Sequence, residues 1–185
     1  MRKRADDSVR PRSLAMVKVR SAAGDRRRGW LIAGATTVPV ALGRSGIQAN
    51  KREGDGATPR GRFRLKQVWW RADRGARPET LLPTRRIGAE DAWCEDPADR
   101  RYNRPIRLGP GVAGDRLWRK DRLYDLVIEL DHNTRPRIAG RGSAVFVHVA
   151  RDGFKPTAGC VALKPGALRR LLTRLSTRTG IEIHF

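Results

Sequence analysis

The run Ser143-Ala-Val-Phe-Val-His-Val-Ala150 constrains this chain more than any other segment, because its β-branched residues recur at every second position. Strand side chains alternate between faces, so Val145, Val147 and Val149 share one face while Ala144, Phe146 and His148 share the other. Further strands are predicted on the same grounds. Residues 29–34 and 37–42 read as a hairpin, with Pro39 implying an edge position or a bulge. Val17-Lys-Val19 reads as a short first strand, and Phe63, Leu65 and Val68 open another as the chain leaves a turn-rich loop at 51–61. Residues 125–130 and 181–185 complete the set, with a turn at Asp131-His-Asn133.

One segment breaks the pattern. From Pro165 to about residue 177, Leu168, Leu171, Leu172 and Leu175 recur at helical spacing with arginines opposite. Many strands, one C-terminal helix and no alternation of strand with helix predict a mainly β fold, a sandwich or mixed sheet. Residues 71–122 fit neither period. A long irregular insertion in a compact domain is usually a functional cap, and Trp93, Tyr102 and Trp118 are its expected anchors.

Composition narrows the partners. Forty Lys and Arg against 19 Asp and Glu give a formal charge of +21. That charge is either a solvated basic skin or a surface for an anionic partner, and its spread along the chain argues against a dedicated nucleic-acid arm. Two cysteines, Cys94 and Cys160, make neither a disulfide framework nor a CxxC zinc site, although one disulfide between them is left open. No apolar core follows the basic N-terminus as a secretion signal requires, and no stretch of ~18 apolar residues spans a membrane. No phosphate loop, metal motif or cofactor signature is present, so none is expected.

The chemistry points to Cys160 and His148. A free thiol is only slightly ionised at neutral pH, so a cysteine nucleophile needs a base. His148, held on a rigid strand, faces a loop that returns through Pro156-Thr-Ala-Gly-Cys-Val-Ala-Leu163. Gly159 lets the backbone turn tightly, and amides around Gly159 and Cys160 are candidates for an oxyanion hole. Alone, this pair implies an acyl-transfer enzyme. His132 and His184 read as structural, and Cys94 has no base nearby in sequence.

The segment from Ser143 to Leu163 resembles the active-site signature of the L,D-transpeptidase catalytic domain family: a histidine ending a strand, a variable loop, then Ser/Thr-x-Gly-Cys. Gly54-Asp-Gly-Ala-Thr-Pro-Arg-Gly-Arg-Phe63 resembles the family's Gly-x-x-Thr-Pro-x-Gly-x-Phe segment. The resemblance covers roughly 29–185 and implies a single catalytic domain there, while the charge and composition of 1–28 read as a basic, partly disordered leader. The resemblance also implies an enzyme of the cell envelope or periplasm that acts on peptidoglycan stem peptides; a monomer is expected. Cys160 would be the nucleophile and His148 the proton acceptor and donor. Thr157, Arg151, Tyr102 and Trp93 would line the substrate site, with Lys155 and Arg141 as further donors. Ala158 and Ala162 stand where many members carry histidine and arginine or asparagine. Water as acceptor would make the chain a carboxypeptidase or endopeptidase instead. A basic polyanion-binding module without catalysis is the reading from a different class.

Overall fold

A computed structural model describes residues 13–185. Among the described residues, fourteen strands and one α-helix follow one another. The first group is β1 (Met16–Ala22), β2 (Asp25–Ala33), β3 (Thr36–Ala41), β4 (Ile47–Gln48), β5 (Thr58–Pro59) and β6 (Gly61–Trp70). The insertion holds β7 (Thr84–Arg86), β8 (Asp91–Trp93), β9 (Pro105–Arg107) and β10 (Asp115–Arg116). Then come β11 (Leu126–Leu130), β12 (Phe146–Val149), β13 (Val161–Leu163), α1 (Pro165–Leu172) and β14 (Gly180–His184).

The main sheet runs β11-β12-β13-β3-β2-β1-β14-β6-β7, and β6 pairs with β11 as well. That second pairing closes the sheet on itself, as the ten residues of β6 allow: Gly61–Arg64 pairs with β14, and Leu65–Trp70 with β11. The sheet is mixed, since β12–β13 and β1–β14 are parallel. Closure leaves few edges to protect. Pro39 sits where the ladder is open, because β13 meets β3 only at Ala41.

The interior is filled by Val17, Val19, Leu31, Leu65, Val145, Val147, Val149 and their neighbours. Helix α1 adds Leu168, Leu171 and Leu172 to the same core. The helix expected to run to 177 stops at Leu172. Its continuation turns away because the Arg174 carbonyl accepts from the Leu14 amide (2.9 Å) and the Leu175 carbonyl from the Leu81 amide (3.2 Å). Leu175 stays buried in the core all the same.

Two other expectations shift. Strand β1 and the start of β2 lie before residue 29, so the described part of the expected leader, 13–28, is sheet; 1–12 lie outside the described residues. The strand expected from Ser143 begins only at Phe146, since Ala144 adopts a left-handed conformation with φ 51°. The insertion is ordered. Strand β7 extends the main sheet, and β10-β8-β9 form a small sheet of their own. Arg71 locks its two ends together: the guanidinium lies 3.6 Å from the Trp118 ring centroid and donates to the Arg119 carbonyl at 2.7 Å.

Leu168 is fully buried in the core of the closed sheet. Leu168→Ala removes packed atoms and leaves a cavity, and is expected to lower unfolding free energy by about 2–5 kcal/mol in chemical denaturation. A loss well under 1 kcal/mol would show that α1 is not part of the core.

Candidate active site

Strand β12 is buried on both faces. Val145, Val147 and Val149 point into the main core; Ala144 and Phe146 join Trp69, Trp93, Leu117, Tyr124 and Cys160 in a second apolar cluster beneath the insertion. His148 shares that outer side, its ring 5.4 Å from the Tyr124 ring, edge to face. The predicted division of faces therefore holds. The parallel pairing of β12 with β13 sets Val147 against Val161 and His148 against Ala162, which brings Cys160 alongside the same strand.

The cysteine turn is built by contact with the upstream loop. In that loop Asp55 accepts from the Arg52 amide at 2.7 Å and the Ala57 amide at 2.8 Å, and pairs with Lys51. The buried Thr58 hydroxyl accepts from the Gly43 amide at 2.8 Å. Gly159, at φ 147°, packs so closely on this loop that a Cβ would sit 2.7 Å from the Ala57 carbonyl oxygen. Thr157 braces the turn from within, its hydroxyl donating to the Cys160 carbonyl at 2.7 Å and accepting from the Gly159 amide at 3.1 Å. The Gly159 amide is thus already engaged, and the Cys160 amide is the donor left at the turn for an oxyanion.

Cys160 and His148 are 7% and 5% exposed. The thiol donates to the Ala144 carbonyl at 3.2 Å and accepts from the Phe146 amide at 3.4 Å. The left-handed Ala144 presents that carbonyl, and its own amide donates to the Asn103 side chain at 3.2 Å. Burial pushes the Cys160 thiol up to about 12, against a smaller opposing effect of the Phe146 amide. Burial pulls His148 down to about 4, with Arg119 and Arg151 adding repulsion and the Val149 carbonyl opposing. That carbonyl lies 2.8 Å from Nδ1; taking Nδ1 as the protonated nitrogen leaves Nε2 as the basic one. Both groups rest neutral near pH 7.

A cavity of about 680 Å³ opens onto the pair. Thr157, Gly159, Arg151 and Lys155 line it as expected. Trp93 and Tyr102 do not. Trp93 is packed edge-on against Phe146 and Trp69, and its indole N–H donates to Asn103. Tyr102 is buried behind the wall, its hydroxyl bound to the Glu53 carboxylate. Arg141 is also absent from the lining; its carbonyl meets His132 Nε2 at 3.0 Å, while His184 accepts from Arg20. Cys94 is a free buried thiol in a separate small cluster, so no disulfide joins it to Cys160.

Sequence reasoning passed over Glu95, Asp115, Arg119, Tyr124, Lys51 and Glu53, all of which line the cavity. Glu95, Asp115 and Arg119 belong to the insertion, whose irregular sequence offers no period from which to orient a side chain. Lys51 and Glu53 begin the turn-rich loop, where they resemble any solvated charge.

The family model for the L,D-transpeptidase catalytic domain (YkuD) matches residues 23–183. The chain belongs to that family. Searches of curated proteins and of solved structures found no match. L,D-transpeptidase domains act on peptidoglycan, and membership assigns this chain to that chemistry in general terms. No helix among the described residues is long and apolar enough to cross a membrane.

The neutral resting pair has two consequences. Alkylation of Cys160 by iodoacetamide, followed by peptide mass spectrometry, is expected to keep accelerating above pH 9; a plateau below pH 8 would contradict it. His148 has a folded pKa near 4 against an ordinary 6.5, so the folded state binds fewer protons. Its contribution to stability is complete above 6.5 and lost as pH falls through 4. The stability difference between wild type and His148→Gln should shrink across that window, and a pH-independent difference would refute the assignment.

Proposed function

We propose that this chain is a peptidoglycan L,D-transpeptidase in which Cys160 forms an acyl-enzyme with a donor stem peptide and passes it to an acceptor amine. The observation that carries this reading is the shared cavity: Cys160 and the His148 ring open onto one space, fixed by β12 and the braced turn. The substrate and the acyl-transfer direction come from the family.

The burial that keeps the pair neutral also shapes the mechanism. A preformed thiolate–imidazolium pair would be costly where both groups are desolvated. Proton transfer from Sγ to His148 Nε2 is therefore coupled to attack on the carbonyl of the third-position diamino acid. The Sγ–C bond forms, and the oxyanion receives the Cys160 amide. Collapse breaks the C–N bond, and the terminal D-residue leaves with the proton held on Nε2. An acceptor amine then attacks the thioester and restores the thiol. Arg151 and Lys155 give the cavity positive charge suited to stem-peptide carboxylates. Arg119, from the insertion, adds a further cation to the lining.

Incubation with muropeptides and mass spectrometry tests the reading. Wild type is expected to yield cross-linked dimer, and Cys160→Ala none. Trimmed monomer as the sole product would identify a hydrolase, and no Cys160-dependent product at all would leave the basic, non-catalytic module.

A further inference from the structure

The cavity beside Cys160 continues past its own rim. Arg44 and Pro156 line both this cavity and a second, open groove of about 730 Å³ along the β1–β2 turn. Among the described residues, the one carboxylate lining that groove, Asp25, is already paired with Arg27 at 2.9 Å. Arg44 therefore stands exposed where the two spaces meet, and it is held there from three sides. Its backbone amide donates to the Thr157 carbonyl at 3.0 Å, which joins it to the cysteine turn. Its side chain lies across Gly56, where a Cβ would sit 2.6 Å from Arg44 Cγ and Nε; with φ 67°, that position favours glycine twice over. One guanidinium nitrogen, Nη2, donates to the Gly54 carbonyl at 2.9 Å. Yet Arg44 has no carboxylate partner among the described residues, while Arg27, Arg62, Arg101 and Arg119 each have one. The acidic groups of the loop beneath it are engaged elsewhere: Asp55 with Lys51 and the Arg52 and Ala57 amides, Glu53 with the Tyr102 hydroxyl. A guanidinium offers five N–H donors in a planar fork, so a held one with most of them unspent suits an incoming carboxylate.

We propose that Arg44 is the receptor for a carboxylate on the part of the donor peptide that leads out of the Cys160 cavity into this groove. That the ligand is a stem peptide rests on the transpeptidase reading; the carboxylate receptor itself rests on the setting of the arginine. Because Gly54, Gly56 and Thr157 already fix the residue, pairing costs it less ordering than it costs a free surface arginine. The carboxylate of the terminal D-residue lies next to the attacked carbonyl, inside the cavity. The one received at the junction is therefore carried upstream of the third residue. Arg44 touches no reacting atom. It determines specificity by distance: with the upstream carboxylate seated, the length of peptide between it and Cys160 sets which carbonyl is presented to the thiol.

Two measurements on the full chain decide the matter. In a Cys160→Ala background, a donor tetrapeptide and its counterpart with the upstream carboxylate converted to an amide are titrated by NMR. N-acetyl-glycine and N-acetyl-glycinamide are titrated beside them, as probes of the carboxylate alone. The acid tetrapeptide is expected to bind about tenfold more tightly than the amide, the small probes to follow the same order, and Arg44→Gln to erase both differences. Arg44→Lys, which keeps the charge but not the fork, should restore only part of them. Equal binding of acid and amide, or a difference that survives Arg44→Gln, overturns the receptor. With native Cys160, Arg44→Gln should raise KM about tenfold more for the acid donor than for the amide donor. A rise equal for both donors overturns the proposal, since lost folding or a general loss of positive charge acts on both alike. If wild type turns over neither donor while Arg44 still separates N-acetyl-glycine from its amide, the transpeptidase reading falls and the receptor stands.

Discussion

Burial of β12 on both faces is the constraint on which the rest of this molecule depends. Its valines belong to the core of the closed sheet, and its other side, with Phe146 and His148, needs a second cover. The insertion supplies that cover with Trp93, Leu117 and the small β8–β10 sheet, and it makes Cys160 part of an apolar cluster. A thiol and an imidazole in such surroundings are held neutral, because each charged form loses its hydration. The cap that stabilises the strand thus also sets the protonation state of the proposed reactive pair.

The second structural dependence is between the two sequence motifs. The loop wound around Asp55 offers the Ala57 carbonyl to the back of Gly159, a contact that admits no side chain there. Thr58 ties the same loop to Gly43, while Thr157 ties the cysteine turn to the end of β3 through the Leu42 carbonyl. The conformation of the turn is therefore imposed from outside it. Asn103 does the same for Ala144, accepting from its amide and so pinning the insertion to the residue whose carbonyl receives the Cys160 thiol.

Charge is distributed unevenly around this framework. A formal +21 describes the chain as a whole, yet many exposed arginines are neutralised locally, as in Arg27 with Asp25 or Arg101 with Asp99. In the cavity the balance is different: cationic side chains from the His–Cys loop meet carboxylates from the insertion and the upstream loop. A space with both signs suits substrates that carry carboxylates and amines together, as stem peptides do.

Short-range regularities in the sequence marked out β1, β2, β3, β6, β11, β12, β14 and the start of α1, because period-two alternation and helical spacing are local properties of the chain. A glycine-led turn singled out His148 and Cys160 as the candidate pair. The split of β12 into two faces follows from backbone geometry alone and appears unchanged in the fold. Tertiary structure decided the remainder. It ended α1 at Leu172 by diverting carbonyls to Leu14 and Leu81, and it delayed β12 through Ala144. It withdrew Trp93 and Tyr102 from the cavity and put Glu95, Asp115, Arg119 and Tyr124 there instead. An aromatic in an irregular segment reads alike whether it faces a cleft or a core, since only the partner strand, distant in sequence, determines which side is filled.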